Sequence, residues 1–181
     1  MIHNIFSIYK VNSMKRRTKK TVPQRYIPTK LSKRDKTKQR EMLKKSRKRY
    51  KKGKYYTRKT LKSFKSKLSP HIVKARKIYN VDSIIPSKNL AKKTGCSIAS
   101  LKKIVKKGEG AYFSSGSRPN QTAKSWGYAR LASSITGGKA AAIDYNILEN
   151  GCKLKSDALR LAKKARITHG YGRRKTPSVK L

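Results

Sequence analysis

The sequence predicts a mainly α protein: a small helical domain over residues 69–166 with a helix-turn-helix-like pair, a basic segment upstream, and flexible basic ends. Three observations predict it. Of 181 residues, 50 are Lys or Arg and 7 are Asp or Glu, a formal charge of +43 that is unevenly spread. Residues 1–80 carry +27, residues 81–152 only +7 and residues 153–181 +9. Unscreened like charge opposes collapse, so folding is expected to centre on the middle. There, apolar residues recur at helical spacing behind Ser and Thr caps. Finally, only 35% of residues are hydrophobic, too few for one large core.

Residues 1–31 read as a flexible basic arm. Met1–Ser13 holds Ile2, Ile5, Phe6, Ile8 and Val11 but no Lys or Arg before Lys10, which suits a short dispensable leader better than a secretory signal. Met14 is an alternative start, and the basic run at residues 15–20 has the look of a nuclear localisation patch. Residues 32–68 form a basic segment rich in Lys, Arg and Tyr. A helix is expected from Ser32 to Tyr50, with Asp35 in its first turn and Glu41 four residues before Lys45. Its apolar residues, Leu31, Met42, Leu43 and Tyr50, make no continuous stripe, so it should need an acidic partner. Tyr50, Tyr55, Tyr56 and Phe64 then interleave with Lys51, Lys52, Lys54, Arg58, Lys59, Lys62 and Lys65. That mixture suits stacking on bases and covering phosphates. It equally suits a short β-hairpin, since Tyr and Thr favour strands and Gly53 permits a turn.

Within 69–166, Ser69-Pro70 opens a helix with Ile72, Ala75 and Tyr79 on one face, ended by Asn80. Ser87–Lys107 reads as two short helices around Gly95-Cys96-Ser97, capped by Ser87 and Ser97. Leu90, Ala91, Gly95, Leu101 and Ile104 have the helix-turn-helix spacing, which an ordinary helical hairpin shares. The second helix would expose Ser100, Lys102, Lys103, Lys106 and Lys107, lysines that suit phosphates better than base edges. Gly108 and Gly110 are expected to stop it. Tyr112 and Phe113 would then anchor a loop in which Ser114, Ser115, Gly116, Ser117 and Arg118 offer donors without acids. This is either an anion-binding loop or a self-bonded turn with Arg118 capping carbonyls.

Thr122 caps a further helix through Ile135, with Tyr128, Leu131, Ala132 and Ile135 in register and Gly137-Gly138 closing it. Trp126 is favoured as a core residue or a partner of Arg130, four positions on. Another helix is expected from about Ala140 to Asn150, with Ala140, Ile143 and Ile147 inward. Ser156 caps the last helix, whose inner stripe is Leu159, Ala162 and Ala165. The tail, residues 167–181, reads as disordered.

Catalytic and cofactor signals are missing. His3, His71 and His169 are scattered, and neither they nor Cys96 and Cys152 have a metal-ligand spacing. Two cysteines 56 positions apart make no disulfide framework, so they read as thiols of a reducing compartment, with Cys96 a small packed group. There is no phosphate-binding P-loop, dinucleotide fingerprint or nucleophile elbow. No cofactor, no metal and no enzymatic activity are expected. No stretch approaches the roughly 20 apolar residues of a membrane span, so no membrane is expected either.

The run from Gly108 to Trp126, with Ala129-Arg130-Leu131 and Gly137-Gly138-Lys139 downstream and Arg49–Tyr56 and Lys62–Lys67 upstream, resembles an uncharacterised family of proteins encoded by large DNA viruses and some phages. Its most specific part is Ser-Gly-Ser-Arg-Pro-Asn-Gln-Thr. The likeness covers about residues 26–152. It implies no activity or catalytic residue. It does imply a virus-encoded protein, packaged with the genome or against the inner capsid, in the virion and host-cell interior (viral factory or nucleus).

The expected function is thus phosphate-directed nucleic-acid binding, with DNA favoured over RNA. The expected contacts are Lys44, Lys45, Arg47, Lys48, Arg49, Lys51, Lys52, Lys54, Tyr55, Arg58, Lys102, Lys103, Lys106 and Lys107. The alternatives are a minor capsid or scaffold protein gripping acidic surfaces of virion proteins, a sequence-specific helix-turn-helix regulator, and, more remotely, a nucleic-acid-processing enzyme using Arg118.

Overall fold

The computed structural model describes residues 21–173 and 175–181. The leader, the Met14 start and the basic run at 15–20 lie outside the described residues. The chain is mainly helical. In order it forms β1 (Thr21–Pro23), α1 (Lys33–Tyr50), α2 (Pro70–Tyr79), α3 (Lys88–Thr94), α4 (Ile98–Ser114), α5 (Ala123–Ile135), α6 (Lys139–Ile143), α7 (Tyr145–Gly151), α8 (Asp157–Thr168) and β2 (Ser178–Lys180).

Five capped starts form as the sequence predicts, whereas the Ser69 hydroxyl makes no cap bond at the start of α2. The hydroxyls of Ser32, Ser87, Ser97, Thr122 and Ser156 accept from the backbone N–H three residues on, satisfying donors that a helix start leaves free. Pro70 occupies the first turn of α2 and Asn80 ends it at φ 47°. The main core gathers Ala75 and Tyr79 of α2, Leu90 of α3, Leu101 and Ile104 of α4, Leu131 and Ile135 of α5, Leu148 of α7, and Leu159 and Ala162 of α8.

Two helices depart from expectation. Gly108 and Gly110 do not stop α4, which runs on to Ser114 and buries Tyr112. Packing overrides their low propensity: Gly108 lies against Gly127 of α5, where an added Cβ would stand 2.7 Å from the Gly127 Cα. We expect Gly108→Ala to lower stability by about 1–3 kcal/mol through overpacking. Gly110→Ala places its Cβ 3.6 Å from the Tyr50 hydroxyl, an ordinary contact, and should be neutral or stabilising by up to about 1 kcal/mol. Thermal unfolding of both variants checks the pair, and equal midpoints would sink the close-packing account.

The single helix expected over 140–150 is broken at Asp144 into α6 and α7. The break rotates the inner face, so Ala141, Ala142, Tyr145 and Leu148 are buried while Ile143 is exposed. Spacing alone missed this because the cause is a buried carboxylate, described below.

The largest correction concerns residues 21–31 and 178–181, parts of the expected flexible arm and disordered tail, which pack together. β1 and β2 pair antiparallel, Val22 opposite Val179, and Gln24 N–H donates to the Pro177 carbonyl at 2.9 Å. Val22, Tyr26, Ile27 and Leu43 form a second small core, with Trp126, Val179 and Leu181 against it. The two-stranded pair thus joins residues 21–23 to 178–180, and residues 51–69 hold no strand, so the hairpin alternative does not form there. Those residues instead form an irregular strap. Leu61 is buried with Leu31 and Met42, with Tyr56 and Phe64 alongside.

Helix α1 needs no acidic partner to cover its inner face. That face is Asp35, Gln39, Met42, Leu43 and Ser46, a helical stripe in which polar residues replace apolar ones. The Gln39 amide donates to the Tyr26 carbonyl at 3.0 Å, and the Ser46 hydroxyl to that of Phe113 at 3.0 Å. Asp35 accepts from the Ser63 hydroxyl and N–H at 2.6 and 3.0 Å. These bonds hold its carboxyl below the usual aspartate range.

Cys96 and Cys152 are joined as a disulfide, overturning the reading of both as thiols. They face each other on an antiparallel bridge between the α3–α4 turn and the end of α7. Ser97 N–H donates to Gly151 at 2.7 Å and Lys153 N–H to Gly95 at 2.8 Å. Separation along the chain says nothing about such an approach, which helix packing creates.

Candidate nucleic-acid interface

The C-terminal halves of α1 and α4 lie side by side. Besides the Ser46 bond, the Arg47 guanidinium donates to the Ser115 carbonyl at 2.8 Å. Lys44, Lys45, Lys48 and Arg49 of α1, and Lys51, Lys52 and Lys54 after it, are exposed. Lys45 and Arg49 both stand over the Tyr56 ring, a placement that keeps their charged ends in solvent along one edge. On α4, Lys102, Lys103, Lys106 and Lys107 are exposed as the helical spacing predicts, whereas Ser100 is half-buried.

Between the helices opens a cleft of about 460 Å³. Its cations are Lys103, Lys106, Lys107 and Arg130; Tyr50, Gly110, Ala111 and Ser114 complete it. Beside it is an aromatic cluster. Tyr50 and Phe113 lie 6.5 Å apart and nearly parallel, and Tyr55 lies 4.8 Å from Phe113. Tyr55 remains 67% exposed.

A buried acid holds two of these cations. Arg130 donates through Nε and Nη2 to the two carboxylate oxygens of Asp144, each at 2.7 Å. Lys107 Nζ stands 2.8 Å from Asp144 Oδ1, and the Ser134 hydroxyl donates at 3.1 Å. The Asp144 side chain is wholly buried, so charge pairing is what makes its position tolerable. Sequence reasoning missed both Arg130 and Asp144 as site residues. Trp126 takes the favoured core position, packing half-buried against the second core and meeting Tyr26 edge-on at 5.7 Å, so Arg130 is left to Asp144. The one available signal was an acid, among only 7 in the chain, directly after the apolar run Ala140–Ile143.

Other expected contacts turn inward. The Arg58 guanidinium lies 3.7 Å from the Tyr112 ring centroid. It donates to the Ser46 hydroxyl at 3.2 Å, the Tyr112 carbonyl at 3.0 Å and the Ser117 hydroxyl at 2.7 Å. Burial pushes its pKa below the ordinary arginine value, since no acid answers the charge there. Ser114, Ser115, Gly116, Ser117 and Arg118 do not share one face. Gly116 and Ser117 are buried, Ser115 and Arg118 are exposed, and Ser114 lines the cleft. Ser117 donates to the Arg118 carbonyl at 2.7 Å. Two residues on, the Asn120 side chain accepts from Leu61 N–H at 2.8 Å and donates to the Leu61 and Phe64 carbonyls at 3.0 and 2.6 Å. The distinctive Ser-Gly-Ser-Arg-Pro-Asn run thus clamps the strap onto the domain.

The expected turn between α3 and α4 forms, with Gly95 at φ 68°. The first turn of α4 is nonetheless covered. Gly151 lies so close to Ser100 that a Cβ there would overlap the serine hydroxyl. In groove-reading motifs that first turn meets base edges, whereas here the exposed lysines begin only with the next residues. Among the described residues no group of three or more His, Cys, Asp or Glu could hold a metal ion. Among the described residues no helix is long and apolar enough to cross a membrane.

No curated protein and no solved structure matches this chain. A family model does, over residues 23–151, a span that contains the strap, the clamp, the cleft and Asp144. The chain belongs to DUF5824, a family of unknown function.

Proposed function

We propose that the protein is a non-enzymatic nucleic-acid-binding protein that grips phosphates along the α1–α4 edge and serves in packaging or condensing a genome. The observation that carries this reading is the cleft: four cations line it, and the carboxylate that touches two of them is buried beneath. A surplus of cations along one surface attracts a polyanion and supplies the phosphate contacts of sequence-independent binding. Exposed lysines on both flanking helices extend the same field. The covered first turn of α4 favours backbone contact over sequence reading. DNA is favoured over RNA, and the virion placement rests on the resemblance to proteins of large DNA viruses and phages.

The test is a salt titration of affinity for random-sequence DNA. With about eight phosphates engaged, log affinity should fall against log salt with a slope near −7. Lys103→Gln and Lys106→Gln should each reduce the slope by about 1. A slope near zero overturns the proposal, and crosslinking in particles that joins the α1 and α4 lysines only to capsid proteins would favour a scaffold instead.

A further inference from the structure

We infer that the cleft between α1, α4 and α5 receives a segment of single-stranded nucleic acid, one phosphate on its cations and the attached base against its aromatic side. This rests on the proposed function and goes further, because it names the strand state the site selects. The cleft is shallow and open to solvent, and its lining sets cations of α4 and α5 beside Tyr50 of α1. A duplex presents phosphates on a convex surface and keeps its bases stacked inside. Only an unpaired nucleotide offers a phosphate and a bare ring together.

The two halves of the site are adjacent. Lys103, Lys106 and Arg130 line the cleft together with Tyr50, and Tyr50 belongs to the aromatic cluster with Phe113 and Tyr55. Tyr55 is mostly exposed although it has aromatic neighbours within reach. An exposed ring in a lysine-rich setting is the stacking platform that single-strand binders use. Arg130 is pre-organised: Asp144 fixes its Nε and Nη2, and Nη1 takes no part in that pair. A guanidinium already held in place loses little freedom on meeting a phosphate. No carboxylate is among the residues lining the cleft.

Gly110 supplies a test that leaves charge untouched. It lines the cleft, and a Cβ added there meets only the Tyr50 hydroxyl, so Gly110→Met fills the space with a better helix former. Anisotropy with the full chain would compare a twelve-nucleotide oligo-dT with a random duplex of equal length, alongside thermal unfolding. Gly110→Met and Tyr55→Ala should each cut the ratio of single-strand to duplex affinity about tenfold, the scale of one lost base stack. The unfolding midpoint of Gly110→Met should not fall.

If both ligands bind with steep salt dependence but Gly110→Met and Tyr55→Ala leave the ratio unchanged, the inference is wrong and the proposed function stands. If neither ligand binds with salt-dependent affinity, both fail.

Discussion

Replacing Asp144 with alanine is expected to lower the free energy of unfolding by about 3–5 kcal/mol, the range for removing one partner of a buried ion pair. The Asp144 side chain is wholly buried and that of Arg130 is only 17% exposed, so the orphaned guanidinium has little water to replace its partner. Lys107 is nearly half exposed and contributes little to the loss, because solvent screens it. The sign of the effect is tested by a second substitution. Adding Arg130→Met removes the uncompensated charge, so the double variant should regain part of the stability that Asp144→Ala loses. Urea unfolding of the three variants decides it. A single-variant loss below about 1 kcal/mol would mean the pair anchors nothing. Asp144→Ala should also weaken binding in the cleft, since Arg130 and Lys107 both lose their support.

The second large effect belongs to the disulfide. Cys96 and Cys152 are 56 residues apart, and closing a loop of that length restricts the unfolded chain by about 4 kcal/mol in the chain-entropy model. Reduction, or the double variant Cys96→Ala/Cys152→Ala, should therefore shift the urea midpoint down by most of that amount. The bond ties the α3–α4 turn to the connection between α7 and α8. Amide exchange should accordingly rise first in α3 and α7, short helices of 7 residues each, which hold few backbone bonds of their own. Equal midpoints in oxidised and reduced protein would refute the assignment of a stabilising role.

What could be read before folding was local. Ser87, Ser97, Thr122 and Ser156 announced helix starts because a cap needs only the next three residues, and Asn80 and Gly95 announced turns because both sit at positive φ. Apolar spacing placed Ala75, Leu101, Ile104, Leu131 and Leu159 inside, and all five are buried. The lysines of α4 were legible as an exposed row for the same reason. Arg58 and Ser117 were not legible as inward groups: both looked like surface chemistry until Tyr112, Ser46 and the strap surrounded them.

The failures share one physical cause. Asp35, Gln39, Ser46 and Asp144 are buried polar residues, each made tolerable by a partner distant in sequence. A pattern of apolar residues cannot register them, which is why α1 lacked a visible face and why the break at Asp144 was invisible. The same holds for β1 with β2 and for Cys96 with Cys152, contacts between segments that only packing brings together. Residue order settled the sign of the charge, most helix starts and the apolar side of the central helices. Three-dimensional packing settled which distant segments pair, which cations face solvent and which lie over a ring or an acid. Caps and periodicity act within a turn, whereas desolvation and pairing depend on neighbours the chain meets only once it is folded.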